Sequence, residues 1–331
     1  MIKQVQNGNQ PIVGRLAPSP TGALHLGNAR SFLLAWLSVR SRNGRLIVRM
    51  EDLDHPKVKP WAATAALDDL RWLGLDWDAG PDTDASKYIQ SNRRAIYGKY
   101  LEQLLDKGLV YPCVCSRNEI ENVQSAPHRE DQRLIYNGTC RGRFPNWDSA
   151  TAMLPDGRLP VWRFKLEKQG RSCFVDAIRG ECVADYQADI GDFALARDPL
   201  GAGYTLAHVV DDYLMGVTEV LRGDDLLEAT HSHIVLQQAL GFPTPQYVHV
   251  PLVVAEDGRR LAKRHGDTRI AMLREKGFTP PQVIGILAWW CGWAEFGEEL
   301  MPEDLLARFD WASFIREQAV LTPQVKEYFK L

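Results

Sequence analysis

The feature that most restricts the fold is a strand-sized apolar run, stopped by a proline turn and followed at once by a helical repeat. Ile12-Val13-Gly14-Arg15-Leu16-Ala17 has strand length. Pro18-Ser19-Pro20-Thr21-Gly22 then blocks regular structure, because each proline lacks an N–H and the glycine loosens the backbone. From His25 to Arg40, the residues Leu26, Ala29, Leu33, Trp36 and Leu37 recur at the spacing of one helix face. A second apolar run, Leu46 to Met50, suits a buried parallel strand and ends in the acidic cluster Glu51-Asp52-Leu53-Asp54. Residues 61–73 and 86–108 carry helical patterns. Strand, helix, strand, helix in this order predicts an α/β, Rossmann-type doubly wound parallel sheet, with ligands where loops leave the C-terminal ends of the strands.

Residues from about 110 to 190 break that rhythm with Pro/Gly turns and short apolar stretches such as Val161 to Leu166, and read as an insertion with its own small β structure. The α/β pattern is expected to resume at Asp192-Phe193-Ala194-Leu195 and at Val217 to Arg222. A helix at 230–240, a strand from Val248 to Val254 and a mainly helical chain after Thr268 follow. Four parts result: 1–109, the first half of the Rossmann domain; 110–190, the insertion; 191–257, the second half; and 258–331, a basic loop with a helical region. Lys plus Arg is 39 against 42 for Asp plus Glu, a net charge of −3, which disfavours a uniformly basic nucleic-acid-coating protein but leaves room for local patches. The longest apolar stretch, Val283 to Ala294, is too short for a bilayer and reads as a buried helix. With a polar N-terminus and six cysteines in 331 residues, neither a secretory signal nor a disulfide framework is expected, and the setting expected is reducing and cytoplasmic.

The turn and the start of the first helix, through His25-Leu26-Gly27-Asn28, form a natural phosphate site. Amide N–H groups and the positive helix end favour an anion there, Gly27 permits close approach, and His25 can donate to a phosphate oxygen. Alone, the same residues read more readily as a tight turn with a capping histidine. The second basic element is Gly258-Arg259-Arg260-Leu261-Ala262-Lys263-Arg264-His265-Gly266, whose flanking glycines permit movement and whose lysine can offset charge on a phosphoryl group in a transition state. A third constellation is Cys113-Val114-Cys115, then Tyr136 and Cys140. Two thiolates one residue apart plus a distant third supply three corners of a tetrahedral zinc site, and chemistry nominates His128 as the fourth, since imidazole is a commoner zinc donor than phenol. Cys173, Cys182 and Cys291 lack ligand spacing and are expected in the core.

The paired phosphate elements resemble the two signature motifs of class I aminoacyl-tRNA synthetases. More narrowly, Arg15 to Gly22, Val48 to Asp54, Val209-Val210-Asp211-Asp212 and Leu221 to Asp225 resemble the glutamyl-tRNA synthetase group, over about Val13 to Trp293. The Tyr-x3-Cys arrangement after Cys-x-Cys, and the 66 residues from Gly266 to Leu331, resemble a shortened branch, the glutamyl-Q tRNA(Asp) synthetases. Three departures stand out: Asn28 replaces the final histidine of the first motif, Ala262 replaces the serine of the second, and Lys263-Arg264-His265-Gly266 resembles glutamyl-tRNA synthetases more than many glutamyl-Q enzymes.

The resemblance implies a class I catalytic core with a zinc-knuckle, acceptor-type insertion and a helical, stem-contacting C-terminal region. It implies ATP-dependent activation of L-glutamate and transfer to the queuosine of tRNA(Asp), with ATP, L-glutamate and that tRNA as partners, and neither DNA nor a membrane. His25, Asn28 and Lys263 would be catalytic, and with Gly27 would hold ATP and its Mg²⁺. Arg15 and Arg222 would take the glutamate carboxylates, as the planar guanidinium fork suits two oxygens. Glu51 would take the ammonium, and Ala17, Pro18, Ser19 and Tyr204 would line the site. Cys113, Cys115, Tyr136 and Cys140 would hold a structural Zn²⁺, with His128 the alternative to Tyr136. Charging of a tRNA 3′ end by a truncated glutamyl-tRNA synthetase, and a non-catalytic paralogue that binds tRNA or nucleotide, stay open at this point.

Overall fold

A computed structural model describes residues 11–53, 57–123, 135–154, 157–200, 203–259, 261 and 267–331. The first part of the chain runs β1 (Val13–Leu16), α1 (Leu26–Arg40), β2 (Arg45–Val48), α2 (Pro60–Trp72), α3 (Ala85–Tyr88) and α4 (Arg94–Asp106). The middle holds β3 (Val110–Cys113), α5 (Arg117–Val123), α6 (Trp147–Thr151), β4 (Val161–Phe164), β5 (Arg171–Asp176), β6 (Gly180–Asp185) and β7 (Ala194–Ala196). Then come α7 (Tyr204–Leu214), β8 (Glu219–Gly223), α8 (Leu227–Leu240), β9 (Gln246–Val250), β10 (Val253–Ala255), α9 (Ile270–Glu275), α10 (Pro280–Trp289), β11 (Ala319–Leu321) and α11 (Pro323–Tyr328).

The fold is α/β, but its sheets are small. β1 pairs with β2 in parallel, Val13 opposite Arg45 and Leu16 opposite Val48, and β8 pairs with β9 in parallel, Glu219 opposite Gln246. The two pairs meet where Thr218 N–H donates to Val13 O and Thr218 Oγ1 accepts from Val13 N, both at 2.9 Å. One continuous doubly wound sheet is therefore replaced by two short parallel pairs side by side. α1 covers them with Leu33 and Leu37, in the same buried cluster as Leu16, Val48 and the α10 residues Val283, Ile286 and Leu287. Each such side chain contributes about 1.5–3 kcal/mol of burial. α10 lies so close to its neighbours that a Cβ on Gly285 would sit 1.7 Å from Glu298 O, so the position admits only glycine.

Three expectations change. The strand expected from Val248 to Val254 is broken into β9 and β10, because Pro251 has no N–H to continue a ladder. β7 does not rejoin the parallel strands; it pairs antiparallel with β4 in the sheet β3–β4–β7. The C-terminal region is not wholly helical, since β11 returns to pair in parallel with β10, Val253 opposite Ala319. Cys173 also departs from its expected core position: β5 alternates exposed and buried residues, which puts Cys173 on the outer face, while Cys182 is half-buried and Cys291 buried. No disulfide links any of the six cysteines. Among the described residues no helix is long and apolar enough to cross a membrane.

α2 buries Asp69 toward α9, with Arg274 Nη2 3.8 Å away and no hydrogen bond to either carboxylate oxygen among the described residues. Burial pushes this carboxyl up to about 6, against the weaker pull of Arg274. A carboxyl with a higher pKa in the fold than in the unfolded chain favours the fold only while protonated. That contribution is present at acid pH and is lost as pH rises through the folded value. Asp69→Asn is therefore expected to raise the thermal midpoint at pH 8 relative to wild type, with the gain shrinking toward pH 4.5. A gain of equal size at both pH values in circular-dichroism melts would exclude this cause.

Candidate active site

The parallel strand pairs open at their C-terminal ends onto a cavity of about 660 Å³. Arg15, Ala17, Pro18, Ser19, Glu51, Tyr204 and Arg222 all line it, together with His25, Gly27 and Asn28. The proline turn explains part of this convergence: Pro18 O accepts from Glu51 N at 3.0 Å, which ties the loop after β1 to the chain leaving β2. Arg15 and Arg222 come from β1 and β8 and are both buried, and Arg15 Nη1 donates across to Leu221 O at 2.8 Å. Lys263 and His128 lie outside the described residues.

At the start of α1, His25 is the N-cap. Its Nδ1 accepts from Gly27 N at 3.1 Å and Asn28 N at 3.4 Å, and Asn28 Oδ1 accepts in return from His25 N at 3.3 Å. Leu26 N donates to Thr268 O at 3.0 Å. The amides that the sequence offers to a phosphate are thus already engaged. What remains for an anion is the helix dipole, undiluted by any acid in the first turn, and the cap itself. With Nδ1 accepting, a neutral His25 ring carries its proton on Nε2 as a donor. The bond to Thr268 O, and that from Ile270 N to Leu24 O at 2.9 Å, fasten the chain after the lysine loop to this same helix end. On the loop's other side Leu261 lines the cavity.

At the cavity floor lies a charged network, of which the sequence singled out Glu51 and, four residues after Tyr204, His208, but not Arg49 or Asp212. Arg49 is fully buried, with Nη2 2.9 Å from Glu51 Oε1 and Nη1 2.7 Å from Asp212 Oδ1. His208 sits between the same carboxylates, Nδ1 3.3 Å from Glu51 Oε1 and Nε2 3.2 Å from Asp212 Oδ2. Burial opposes the charge of Glu51, but hydrogen bonds from His208 and Arg49 and the charge of Arg49 outweigh it and bring Glu51 down to about 2. Burial also opposes the charge of Arg49, yet Asp212 and Glu51 hold it above the usual arginine range. For His208 burial dominates and lowers its pKa, against the pull of Asp212. Glu51 is therefore a fixed anion at neutral pH. Within this buried group three guanidiniums, Arg15, Arg49 and Arg222, face two carboxylates, which leaves one positive charge for a ligand to meet. The i, i+4 spacing of His208 and Asp212 on α7 was visible in the sequence; their meeting with Arg49 was not.

Arg222 carries the unmatched charge of that group and is itself buried. Among the described residues it has no carboxylate within ion-pair distance, and its Nη2 is held by Thr230 Oγ1 at 2.7 Å and Leu226 O at 3.3 Å. A buried cation with only neutral partners costs free energy unless a ligand supplies the anion.

In the insertion, Cys113, Cys115 and Cys140 bring their sulfurs within 4.8 Å of one another. Tyr136 Oη lies 3.3 Å from Cys113 Sγ and 3.4 Å from Cys115 Sγ, and accepts from Cys140 N at 2.9 Å. A tetrahedral Zn²⁺ with ordinary bond lengths sets sulfurs about 3.8 Å apart and a phenolate oxygen about 3.5 Å from each. These donors fit such an ion, and the cluster could bind zinc.

The chain matches the family described as tRNA synthetases class I (E and Q), catalytic domain, over residues 11–320. It is 46% identical over 309 residues to a glutamyl-Q tRNA(Asp) synthetase of Symbiobacterium thermophilum, covering 92% of this chain and 94% of that protein. It is 42% identical over 328 residues to the protein of the same name from Rhodopirellula baltica, covering 93% and 96%. Among solved structures, a glutamate tRNA ligase from Elizabethkingia meningosepticum in complex with its amino acid superposes with a TM-score of 0.80 at 26% identity, over 97% of this chain but 69% of the ligase.

Proposed function

We propose, since this chain belongs to the class I tRNA synthetases (E and Q), that it activates L-glutamate with ATP and transfers the glutamyl group to the queuosine nucleoside of tRNA(Asp). The observation that carries this reading is Arg222: a buried arginine without a carboxylate partner among the described residues, in the same cavity as Arg15, the anionic Glu51 and the capped start of α1. The match to the two shortened relatives along nearly their whole length supports the choice of acceptor.

In this proposal Arg15 and Arg222 hold the two carboxylates of glutamate and Glu51 takes the ammonium. Ala17, Pro18, Ser19 and Tyr204 form the walls. His25, Gly27 and Asn28 hold the phosphates of ATP, which arrives with Mg²⁺. One carboxylate oxygen attacks the α-phosphorus, pyrophosphate leaves, and a glutamyl-adenylate results. Lys263 offsets the charge that develops on the phosphoryl oxygens, a role worth roughly 10²–10³ in rate. A queuosine hydroxyl then attacks the acyl carbon of the mixed anhydride and AMP leaves. Among the described residues no side chain in the cavity stands out as the base for that step, so holding the reactants in place is its main contribution. Residues 1–109 and 191–257 would form the catalytic core, and 258–331 the lysine loop and stem contact. Segment 110–190 would be the insertion, held by a structural Zn²⁺ on Cys113, Cys115, Tyr136 and Cys140.

The acceptor is tested with labelled glutamate and three RNAs: tRNA(Asp) containing queuosine, the unmodified tRNA(Asp) transcript, and tRNA(Glu). Label is expected on the first alone. Charging of tRNA(Glu) would instead mark a truncated glutamyl-tRNA synthetase.

A further inference from the structure

Arg222 is aimed by a chain of hydrogen bonds that starts on a different element. In the β8–β9 register it stands opposite His249. Its Nε donates to His249 Nε2 at 3.1 Å, and His249 Nδ1 lies 2.7 Å from Asp176 Oδ2. Asp176 ends β5, in the hairpin with β6, and is buried. Its Oδ1 accepts from Ile178 N and Arg179 N, both at 2.9 Å, and its Oδ2 also accepts from His249 N at 3.0 Å. Burial opposes the charge of Asp176, but these hydrogen bonds, His249 foremost, hold it below the usual carboxylate range.

An ionised carboxylate only accepts, so the proton between Asp176 and His249 sits on imidazole Nδ1. Burial first, and the charge of Arg222 in addition, keep His249 below its ordinary range, which makes it neutral at physiological pH. A neutral ring protonated at Nδ1 has its lone pair on Nε2, as the Arg222 Nε–H requires. The opposite tautomer would set N–H against N–H.

We propose that His249 is a positioning residue for amino-acid binding: Asp176 locks its Nδ1–H tautomer, and Nε2 fixes the guanidinium of Arg222. With Nε held by His249 and Nη2 by Thr230, Nη1 is the corner with donors to spare for a ligand carboxylate. Its only partner among the described residues is His208 Nε2, at 3.5 Å. Through Asp176, the β5–β6 hairpin of the middle segment thereby sets the aim of a cavity residue on β8.

This inference rests on the glutamate reading of the cavity, and two measurements test it. The first is glutamate-dependent ATP–pyrophosphate exchange by wild type, His249→Phe and Asp176→Asn. Phenylalanine keeps a ring beside Phe174 and Tyr247 but removes the acceptor. Both variants are expected to raise the KM for glutamate about ten- to a hundredfold. The kcat and the KM for ATP should stay within about twofold, because Arg222 holds the carboxylate equally in ground and transition states. A loss confined to packing would lower kcat and the melting midpoint instead. The second is the nitrogen-15 spectrum of histidine-labelled protein, with the His249 signals identified by their absence from His249→Phe, or from His249→Gln should the phenylalanine variant not fold. Wild type should carry its proton on Nδ1 and Asp176→Asn should not. Wild-type His249 protonated on Nε2, or a folded His249→Phe with an unchanged glutamate KM, overturns the proposal. Wild type without glutamate-dependent exchange overturns the glutamate reading instead, and the spectrum still decides the tautomer.

Discussion

Arg222→Ala is expected to abolish glutamate-dependent ATP–pyrophosphate exchange while leaving the protein folded. The two halves of that expectation have one cause. Among the described residues Arg222 pairs with no carboxylate; His249, Thr230, Leu226 O, His208 and His233 are its hydrogen-bond partners. Removing it strips no carboxylate of a direct ion-pair partner, so the fold loses packing and five polar contacts but gains relief from a buried cation without an ion pair. Glutamate, in contrast, would lose the partner of a buried carboxylate. Breaking such a pair costs about 3–5 kcal/mol, which is roughly two to four decades in kcat/KM. Lysine should restore only a fraction, since a single ammonium cannot reproduce the fork or be aimed through Nε. Full activity in Arg222→Ala would remove Arg222 from the site. A melting midpoint lowered by tens of degrees would show that the arginine serves the fold.

Stripping the metal from the cysteine cluster is expected to have the second large effect. The donors come from two segments, 113–115 and 136–140, so an ion bound there ties the two together. Structural Zn²⁺ sites contribute their binding free energy to folding outright. Purified protein should contain one zinc per chain, and chelation should lower the midpoint of the first melting transition and expose the β3–β4–β7 unit to protease. The identity of the fourth ligand is decided by Tyr136→Phe against His128→Ala. The phenol Oη lies 3.3 and 3.4 Å from two of the sulfurs, so loss of zinc affinity is expected in the tyrosine variant and not in the histidine one. The reverse pattern would restore the imidazole that donor chemistry alone nominates.

What was legible in the sequence was mostly local. β1, the proline turn and α1 could be read because prolines, glycine and helical spacing each act over a few residues, and the structure starts α1 at Leu26, one residue after its cap. The cysteine constellation could be read for the same reason. β7 could not: a three-residue strand shows no partner preference in its own sequence, and whether it joins β4 or a parallel strand is decided by long-range packing. The break between β9 and β10 was written in Pro251 and was overlooked inside an apolar run. Period-two alternation in Arg171 to Asp176 also put Cys173 on the outer face. For the site, Arg15, Glu51 and Arg222 came from motif resemblance, while the groups that charge and aim them did not. Arg49 meets Asp212 across 163 residues and His249 meets Asp176 across 73, separations at which no spacing rule operates.

The central claim is that this cavity activates glutamate by itself. It is tested most directly by pyrophosphate exchange with ATP, Mg²⁺ and amino acid in the complete absence of RNA. Exchange with glutamate, and none with glutamine or aspartate, is the predicted result. No exchange at saturating ATP and glutamate, or exchange that begins only when tRNA is added, would contradict it.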